Sequence, residues 1–365
     1  MASVYDVIVV GGGAAGAASA RELAASGRRV LVIEPGGYIG QAWRAAGGML
    51  APQIEADAND PLLDLGLAAR EHYGPLARSL LENTGKDIGL WQEGIARVAS
   101  DDGEAAELKT KVQWQRQQGH VCEWLEAEEV RRRWPWLGPT AGALWAGRDG
   151  ALDPASLVQA LLADAERLGA AVVADRAIRI ERAGERVTGV TAERGRYSAG
   201  HVVVAAGAWS PLLEGLPRPL PIEPVRGQMA ALPWPAAVPR AIVYHRDCYL
   251  LARGGEAIIG STMESAGFRP EVTTAGLAQI FAATMLLYPN LIRGKVRRTW
   301  AGLRPMTPDG LPIIGGEPLL SGLWYATGHG RNGILLAGLT GVLIRQLIEE
   351  AQPVRDVRAL SADRF

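Results

Sequence analysis

Val7-Ile8-Val9-Val10-Gly11-Gly12-Gly13-Ala14-Ala15-Gly16 is the stretch of sequence that decides the fold. Its four consecutive apolar residues predict a strand that is buried on both faces. The glycines have the spacing Gly11-x-Gly13-x-x-Gly16, and strong helix formers follow over residues 17–25. In such a motif the first glycine permits a tight turn, the second lets backbone approach a pyrophosphate, and the third lets the helix pack closely on the strand. The stretch therefore predicts a dinucleotide-binding unit.

A second buried strand, over residues 30–33, follows this helix and ends at Glu34, 23 residues after Gly11. An acidic residue at this place accepts hydrogen bonds from ribose hydroxyls, while the pyrophosphate lies on unpaired amides at the helix N-terminus. This context makes the motif specific for a dinucleotide. It does not by itself distinguish FAD from NAD.

Further strand and helix patterns follow along the chain. Asp153 begins an amphipathic helix that ends at Gly169, and Ile334 begins a C-terminal helix. The other predicted strands of this kind are 172–173, 177–180, a strand pair over 185–193, 201–207 and 323–326. Residues 86–147 mix charged helical sequence with tryptophans, and residues 241–263 predict a hairpin that turns at Gly254-Gly255.

These patterns predict an α/β protein with an α+β second domain. We expect a discontinuous Rossmann-type domain over residues 1–85, 148–220 and 300–365. A substrate domain built around an antiparallel sheet takes residues 86–147 and 221–299.

Composition excludes several classes of protein. The 38 Lys and Arg residues nearly balance the 39 Asp and Glu residues, so no net field favours nucleic acid or an anionic membrane. The longest late apolar run, residues 333–344, is too short for a membrane span, and no signal peptide is recognisable. Neither Cys122 nor Cys248 has a redox or metal spacing, and none of the five histidines has a metal spacing. We expect a cytoplasmic, metal-free homo-oligomer.

Four sequence blocks resemble the D-amino-acid oxidase family of flavoproteins, and within it the glycine oxidases of the thiamine-biosynthesis type. The blocks are Ala45-Ala46-Gly47-Gly48-Met49-Leu50-Ala51-Pro52, residues 202–210 (VVVAAGAWS), residues 300–315 (WAGLRPMTPDGLPIIG) and residues 328–337 (GHGRNGILLA). The likeness extends from Val7 to about Ile348. The last two blocks, with residues 244–249 (YHRDCY), point most narrowly to glycine oxidase.

The resemblance implies FAD as the cofactor. Some relatives attach flavin through a C-terminal cysteine, and no cysteine follows Cys248, so we expect the FAD to be noncovalent. The N-terminus of the helix after residues 328–333 would stabilise negative charge on the reduced flavin. The cofactor-binding residues that we predict are Gly11, Gly13, Ala14, Ala15, Gly16, Glu34, Pro35, Ala46, Gly47, Gly48, Met49, Ile178, Ala206, Gly207, Trp209, Gly302, Arg304, His329, Gly330, Arg331, Asn332, Gly333 and Ile334.

An amino-acid substrate needs a partner for its carboxylate, and arginine is the planar, permanently charged choice. Arg304 is the first candidate, because a cation in an apolar, proline-bounded segment requires an anionic partner. An internal acid is the alternative partner. The resemblance gives the same role to Arg304, makes Tyr249 share the carboxylate, and implies a second active-site arginine, Arg331. A place at the site entrance or a structural role is the alternative for Arg331.

Met49 and Met263 match apolar pocket positions of the family. Met263 shares a face of the hairpin with Tyr249 only if the turn has three residues, 254–256, so the functional interpretation predicts that longer loop.

The chain departs from the family pattern in two places. Asp247 stands where a histidine is expected, and Trp43-Arg44 replaces small hydroxyl-bearing residues. Both bear on which substrate is used.

The resemblance implies oxidation of glycine, sarcosine or a small D-amino acid to an imine and then an oxo acid, with O2 reduced to H2O2. Three alternatives stay open. They are a dehydrogenase that passes electrons to a quinone or protein, a nicotinamide dehydrogenase, and a non-catalytic flavin-binding protein.

Overall fold

The strand, turn, helix and strand predicted at the start of the chain are present in the structure, a computed structural model that describes residues 4–37, 39–57, 61–246 and 248–365. The first strand is Val4–Val10, the helix is Ala14–Ala25, and the second strand, Val30–Ile33, pairs in parallel with the first. The helix ends before Gly27, whose positive φ of 83° lets the chain reverse towards the second strand.

The remaining elements follow in chain order. The strands are β1 Val4–Val10, β2 Val30–Ile33, β3 Met49–Leu50, β4 Ile95–Ala99, β5 Glu123–Glu126, β6 Gly142–Ala146, β7 Gly150–Ala151, β8 Ala171–Val173, β9 Ala177–Ala183, β10 Arg186–Ala192, β11 Arg196–Val204, β12 Glu223–Pro233, β13 Ile242–His245, β14 Cys248–Arg253, β15 Glu256–Gly260, β16 Arg298–Met306, β17 Ile313–Gly316 and β18 Leu323–Thr327. The α-helices are α1 Ala14–Ala25, α2 Ala42–Ala45, α3 Pro52–Glu55, α4 Leu63–Thr84, α5 Asp102–Gln117, α6 Ala127–Arg133, α7 Pro154–Arg167, α8 Thr274–Leu287 and α9 Gly333–Ile348. Short 3-10 helices are Gly207–Leu212, Pro289–Arg293, Gly330–Asn332, Arg358–Leu360 and Ala362–Arg364.

The first sheet has the order β17-β18-β11-β1-β2-β8, with β10 beside β11 and β9 beside β10. Its centre is parallel, since β1 pairs in parallel with both β2 and β11. Side chains of β1 alternate between two cores: Val7 and Val9 pack with helices α1, α4, α7 and α9, and Ile8 packs on the opposite face. The apolar run is therefore buried on both faces, as the sequence predicts.

The second sheet has the order β16-β12-β15-β14-β13-β4-β6-β5. Its pairs are antiparallel except β13 with β4. The predicted mixed α/β class with an antiparallel second sheet is thus confirmed. Strand β16 belongs to this second sheet and crosses residue 300, where we placed a domain boundary.

Two local predictions are wrong. Residues 185–193 hold the single strand β10, which pairs with β9 and β11, rather than a strand pair. The turn between β14 and β15 has two residues, because Arg253 pairs with Glu256 across Gly254 and Gly255. Both glycines have positive φ, 58° and 73°, which a tight two-residue hairpin turn requires, so the three-residue loop does not form.

Within the described ranges, no helix is both long and apolar enough to cross a membrane.

Candidate active site

A cavity of about 470 Å³ opens at the carboxyl ends of β1, β2 and β11 and extends to the second sheet. Val10 and Ile33 line its first end, and Arg304 and Tyr249 line the other. Ligands of open α/β sheets bind outside the carboxyl ends of the strands, so the cavity lies where the sequence motif predicts. With the exception of Gly16 and Met263, every residue that we predicted for the cofactor or substrate lines this cavity.

The first end of the cavity is built around the N-terminus of α1. Its N-cap, Gly13, provides no side-chain hydrogen bond, and Gly13, Ala14 and Ala15 all line the cavity. Gly16 lies behind them, where an added Cβ would overlap the carbonyl oxygen of Gly11. The unpaired amides and the positive end of the helix dipole therefore face the space where a pyrophosphate fits.

Glu34 lies at the same end with its carboxylate held in place. Its Oε2 accepts a hydrogen bond from the amide of Gly12 at 2.7 Å, and its Oε1 accepts from Gln41 Nε2 at 2.8 Å. Gln41 in turn accepts a hydrogen bond from Arg44 Nε at 2.6 Å. An oriented carboxylate beside uncapped amides is the donor and acceptor set that a dinucleotide requires.

A second helix N-terminus faces the middle of the cavity. The N-cap of α9, Asn332, provides no side-chain hydrogen bond, and residues 329–334 line the wall. His329 is buried here, and its Nε2 lies 3.0 Å from Thr340 Oγ1. Burial lowers the pKa of His329 to about 4, so the imidazole is neutral at physiological pH.

Arg304 lies on β16 at the substrate end. Its Nη1 donates to the carbonyl oxygen of Thr262 at 3.1 Å, and its Nη2 donates to Ser261 Oγ at 2.5 Å. No carboxylate of the described residues forms a salt bridge with it, so the internal acid that we considered as an alternative partner is absent from the described part of the chain. Burial lowers the pKa of its guanidinium below the usual value. A buried cation without an anionic partner favours binding of an anion.

Tyr249 lies on β14 beside Arg304. Its hydroxyl points to Met229 Sδ at 3.5 Å, and it lies against Gly47, where an added Cβ would overlap the hydroxyl oxygen. Burial raises the pKa of Tyr249, so the phenol stays protonated and can donate a hydrogen bond. Its ring is nearly parallel to that of Tyr244, with the centroids 6.4 Å apart.

Arg331 lies at the mouth of the cavity, with 38% of its side chain exposed. Its Nη2 lies 3.2 Å from Glu55 Oε1 and also donates to the hydroxyl of Tyr244. The Glu55 carboxylate raises the pKa of Arg331. Unlike Arg304, this arginine already has an anionic partner.

Sequence reasoning missed Glu55, Tyr244, Ser261 and Gly227. Tyr244 begins the block 244–249 and Glu55 follows the block that ends at Pro52, so their neighbourhood was recognised but not their roles. No local pattern marks Gly227 or Ser261. Gly227 lies beside Arg304 through the register of β12 with β16, and Ser261, just after β15, accepts a hydrogen bond from Arg304.

Of the remaining predicted positions, some line the cavity and others do not. Met49 is half-buried and lines the cavity, whereas Met263 is 48% exposed and does not. Trp43 lines the cavity, and the guanidinium of Arg44 lies 4.3 Å from the centre of its ring. Asp247 lies outside the described residues.

Comparison with known proteins identifies the family of this chain. The sequence profile of the family described as DAO, FAD dependent oxidoreductase, matches residues 6–347. The chain belongs to this family. As a DAO-family enzyme it depends on FAD and oxidises amines or amino acids, which decides between FAD and NAD where the glycine motif could not.

Individual relatives agree over the whole length of this DAO-family chain. A glycine oxidase of Geobacillus kaustophilus is 33% identical over 99% of this chain and 97% of its own. The crystal structure of glycine oxidase from that organism superposes with a TM-score of 0.95 and covers 99% of both chains. A bifunctional protein ThiO/ThiG of Synechocystis is 34% identical over 100% of this chain, which spans 55% of that longer protein.

Proposed function

We propose that this enzyme oxidises glycine or a small relative, such as sarcosine or a small D-amino acid, to the imine, which water hydrolyses to the oxo acid. Two electrons leave the substrate and reduce O2 to H2O2. The observation that carries this proposal is the buried Arg304, whose guanidinium lacks an anionic partner among the described residues and lies in a cavity wall beside the protonated Tyr249.

Each residue of the site has a distinct role in this proposal. Arg304 and Tyr249 bind the substrate carboxylate, the first by charge and the second by a hydrogen bond. Met49 and Met229 provide apolar wall at the substrate end. FAD, when bound, accepts the hydride from the α-carbon of the substrate. The α1 N-terminus and Glu34 would hold its pyrophosphate and ribose, and the α9 N-terminus would face negative charge on the reduced ring.

The protein need not supply an acid or base for this reaction. The substrate amine must be neutral, since its lone pair drives the loss of hydride, and orientation then does most of the work. His329 is consistent with this assignment, because a pKa of about 4 makes its imidazole a weak base and its Nε2 lies 3.0 Å from Thr340 Oγ1.

A small substrate is supported by the charges at the mouth of the cavity. Of the two arginines described at this end of the cavity, Arg331 is paired with Glu55, so Arg304 remains for a single carboxylate. The names of the relatives, glycine oxidase among them, agree with a substrate of this size.

The proposal extends to the cofactor, the domains and the setting in which the enzyme works. We propose noncovalent FAD, the division into two domains given above, a homo-oligomer in the cytoplasm and a role in thiamine biosynthesis. The relative named ThiO/ThiG supports the last point. The dehydrogenase alternative differs only in its electron acceptor.

Turnover of the purified holoenzyme with glycine, sarcosine, D-alanine and D-proline tests the proposal. We expect anaerobic bleaching of the flavin by at least one of them, then O2 uptake with H2O2 formation in air. Bleaching without O2 uptake would establish the dehydrogenase instead, and no bleaching by any of the four would refute the substrate class.

Arg304→Met provides the residue-level test, with Arg298→Met as its control on the same strand. Arg298 is exposed and pairs with Glu256. Loss of the buried contact should cost on the order of 2–5 kcal/mol of substrate binding while FAD remains bound. Equal kcat/KM in both variants would refute the role of Arg304.

A further inference from the structure

Arg253 contacts the cavity wall formed by residues 45–49 from outside the cavity. Arg253, at the end of β14, donates from Nη1 to the carbonyl oxygen of Gly47 at 2.9 Å and to that of Leu152 at 2.6 Å. Residues 45–49 all line the cavity, whereas Arg253 does not. One guanidinium nitrogen therefore joins this wall to the segment that precedes α7.

Arg253 is well placed to fix the wall rather than to bind solvent. Only 22% of its side chain is exposed, and burial lowers the pKa of its guanidinium. Its Nε lies 3.6 Å from Asp153 Oδ2, while Asp153 Oδ1 accepts the amide of Ser156 as the N-cap of α7. Because a buried cation requires this full set of acceptors, the three segments are tied together.

The wall is closely packed at Gly47 and Gly48. An added Cβ on Gly47 would overlap the hydroxyl of Tyr249, and one on Gly48 would overlap the carbonyl oxygen of Leu152. Gly48 has a positive φ of 88°, and its carbonyl oxygen accepts the amide of Leu152 at 2.9 Å. The loop is thus confined between Leu152 and β14.

Tyr249 and Arg253 lie on the same strand, four residues apart, and side chains at even spacing share a face of a strand. Tyr249 contacts the loop at Gly47 from the cavity side, and Arg253 holds the carbonyl of the same residue. The strand therefore contacts one glycine of the wall at two points.

We infer that Arg253 is a positioning residue for FAD: it keeps the wall of residues 45–49 in the shape that receives the cofactor, through its hydrogen bonds to the carbonyl oxygens of Gly47 and Leu152. Without these bonds the two carbonyls lose their donor, and the loop is held less firmly in the position that lines the cavity. Affinity for FAD then falls although no group that lines the cavity has changed.

The test uses Arg253→Met, with Arg297→Met as the matched control. Arg297 also donates from Nη1 to a backbone carbonyl, that of Gly255 at 3.4 Å, but Gly255 lies in the turn between β14 and β15 and does not line the cavity. Apoprotein of each variant is titrated with FAD, and the dissociation constant and the visible absorption and circular dichroism of the bound flavin are measured. We expect an increase in the dissociation constant of about tenfold or more for Arg253→Met, with altered flavin bands, and about the wild-type value for Arg297→Met.

A general loss of stability would lower the unfolding temperature but leave the flavin bands of the bound fraction unchanged. Wild-type affinity and wild-type bands in Arg253→Met would overturn the inference. If that variant does not fold, Arg253→Gln, which keeps a polar but shorter side chain, is measured in the same way, and wild-type values there would also overturn it. FAD binding requires no turnover, so this outcome is independent of whether glycine is the substrate.

Discussion

The guanidinium of Arg304 lies directly over Gly227 of the neighbouring strand β12, where an added Cβ would overlap both of its terminal nitrogens. A side chain at position 227 and the observed position of Arg304 are therefore incompatible. Because Gly227 on β12 has no side chain, the guanidinium of Arg304 on β16 can lie at this position.

Gly227→Ala should consequently displace Arg304 and impair substrate use while leaving FAD bound. A misplacement of about 1 Å costs on the order of 100-fold in rate, so we expect kcat/KM for glycine to fall by about that factor. Steady-state kinetics and the flavin spectrum give the two readouts. Gly200→Ala is the control, because an added Cβ on this glycine of β11 would meet nothing within 4 Å. Equal kcat/KM in the two variants would show that the contact is unimportant.

Ser261→Ala should have a smaller effect in the same direction. The change removes the acceptor of Arg304 Nη2 but leaves the carbonyl oxygen of Thr262 in place. A single hydrogen bond to a charged group contributes about 1.5–3 kcal/mol, so the KM for glycine should rise by roughly tenfold or more with little change in kcat. Ser26→Ala, at the end of α1, should leave KM unchanged. A change in kcat alone would contradict the assignment.

Tyr249→Phe should weaken binding of the substrate carboxylate. It should not change the ionisations seen in the pH profile of the enzyme. Burial raises the pKa of Tyr249, so the wild-type phenol is protonated throughout the working range and contributes no titration there. We expect higher KM in the variant and the same shape of kcat/KM against pH. Tyr288→Phe, in a separate apolar cluster of the second sheet, is the control. Loss of a basic limb from the pH profile only in Tyr249→Phe would disprove the protonated state.

His329 should make the apoprotein less stable in acid. Its folded-state pKa of about 4 lies below the ordinary value of 6.5, so the unfolded chain binds the extra proton first. Its contribution to the free energy of unfolding is complete above pH 6.5 and falls as pH drops towards 4, by about 3 kcal/mol in total.

Denaturant unfolding at several pH values checks this prediction. His329→Gln should show a shallower loss of stability between pH 6.5 and 4 than the wild type. His120→Gln, a half-buried histidine near the end of α5, should keep the wild-type slope. Parallel slopes for wild type and His329→Gln would exclude this histidine as the cause.

The first βαβ unit could be predicted from sequence because its signals are local. The run Val7 to Val10 and the glycines after it specify strand and turn within ten residues. Asp153 marks the start of α7 just as locally, because its side chain accepts a hydrogen bond from the amide of Ser156. Arg304 was recognised because a cation between apolar residues and proline is unusual.

The rest depends on pairing between distant strands. Gly227 meets Arg304 through the register of β12 with β16, and Glu55 meets Arg331 from 276 positions earlier in the chain. Met263 was misplaced because its face depended on the length of one turn, which the two consecutive glycines made shorter than we expected. Long-range register of this kind leaves no periodic trace in one sequence.

The two-residue turn between β14 and β15 also determines which residues lie beside Arg304. With Gly254 and Gly255 alone between β14 and β15, Tyr249 faces Gly260, and the next two residues, Ser261 and Thr262, fall beside Arg304. One residue inserted at this bend would shift Ser261 and Thr262 relative to Arg304. It would also separate Arg304 from Tyr249. The length of this bend therefore sets, from a distance, which polar atoms of the hairpin meet the guanidinium.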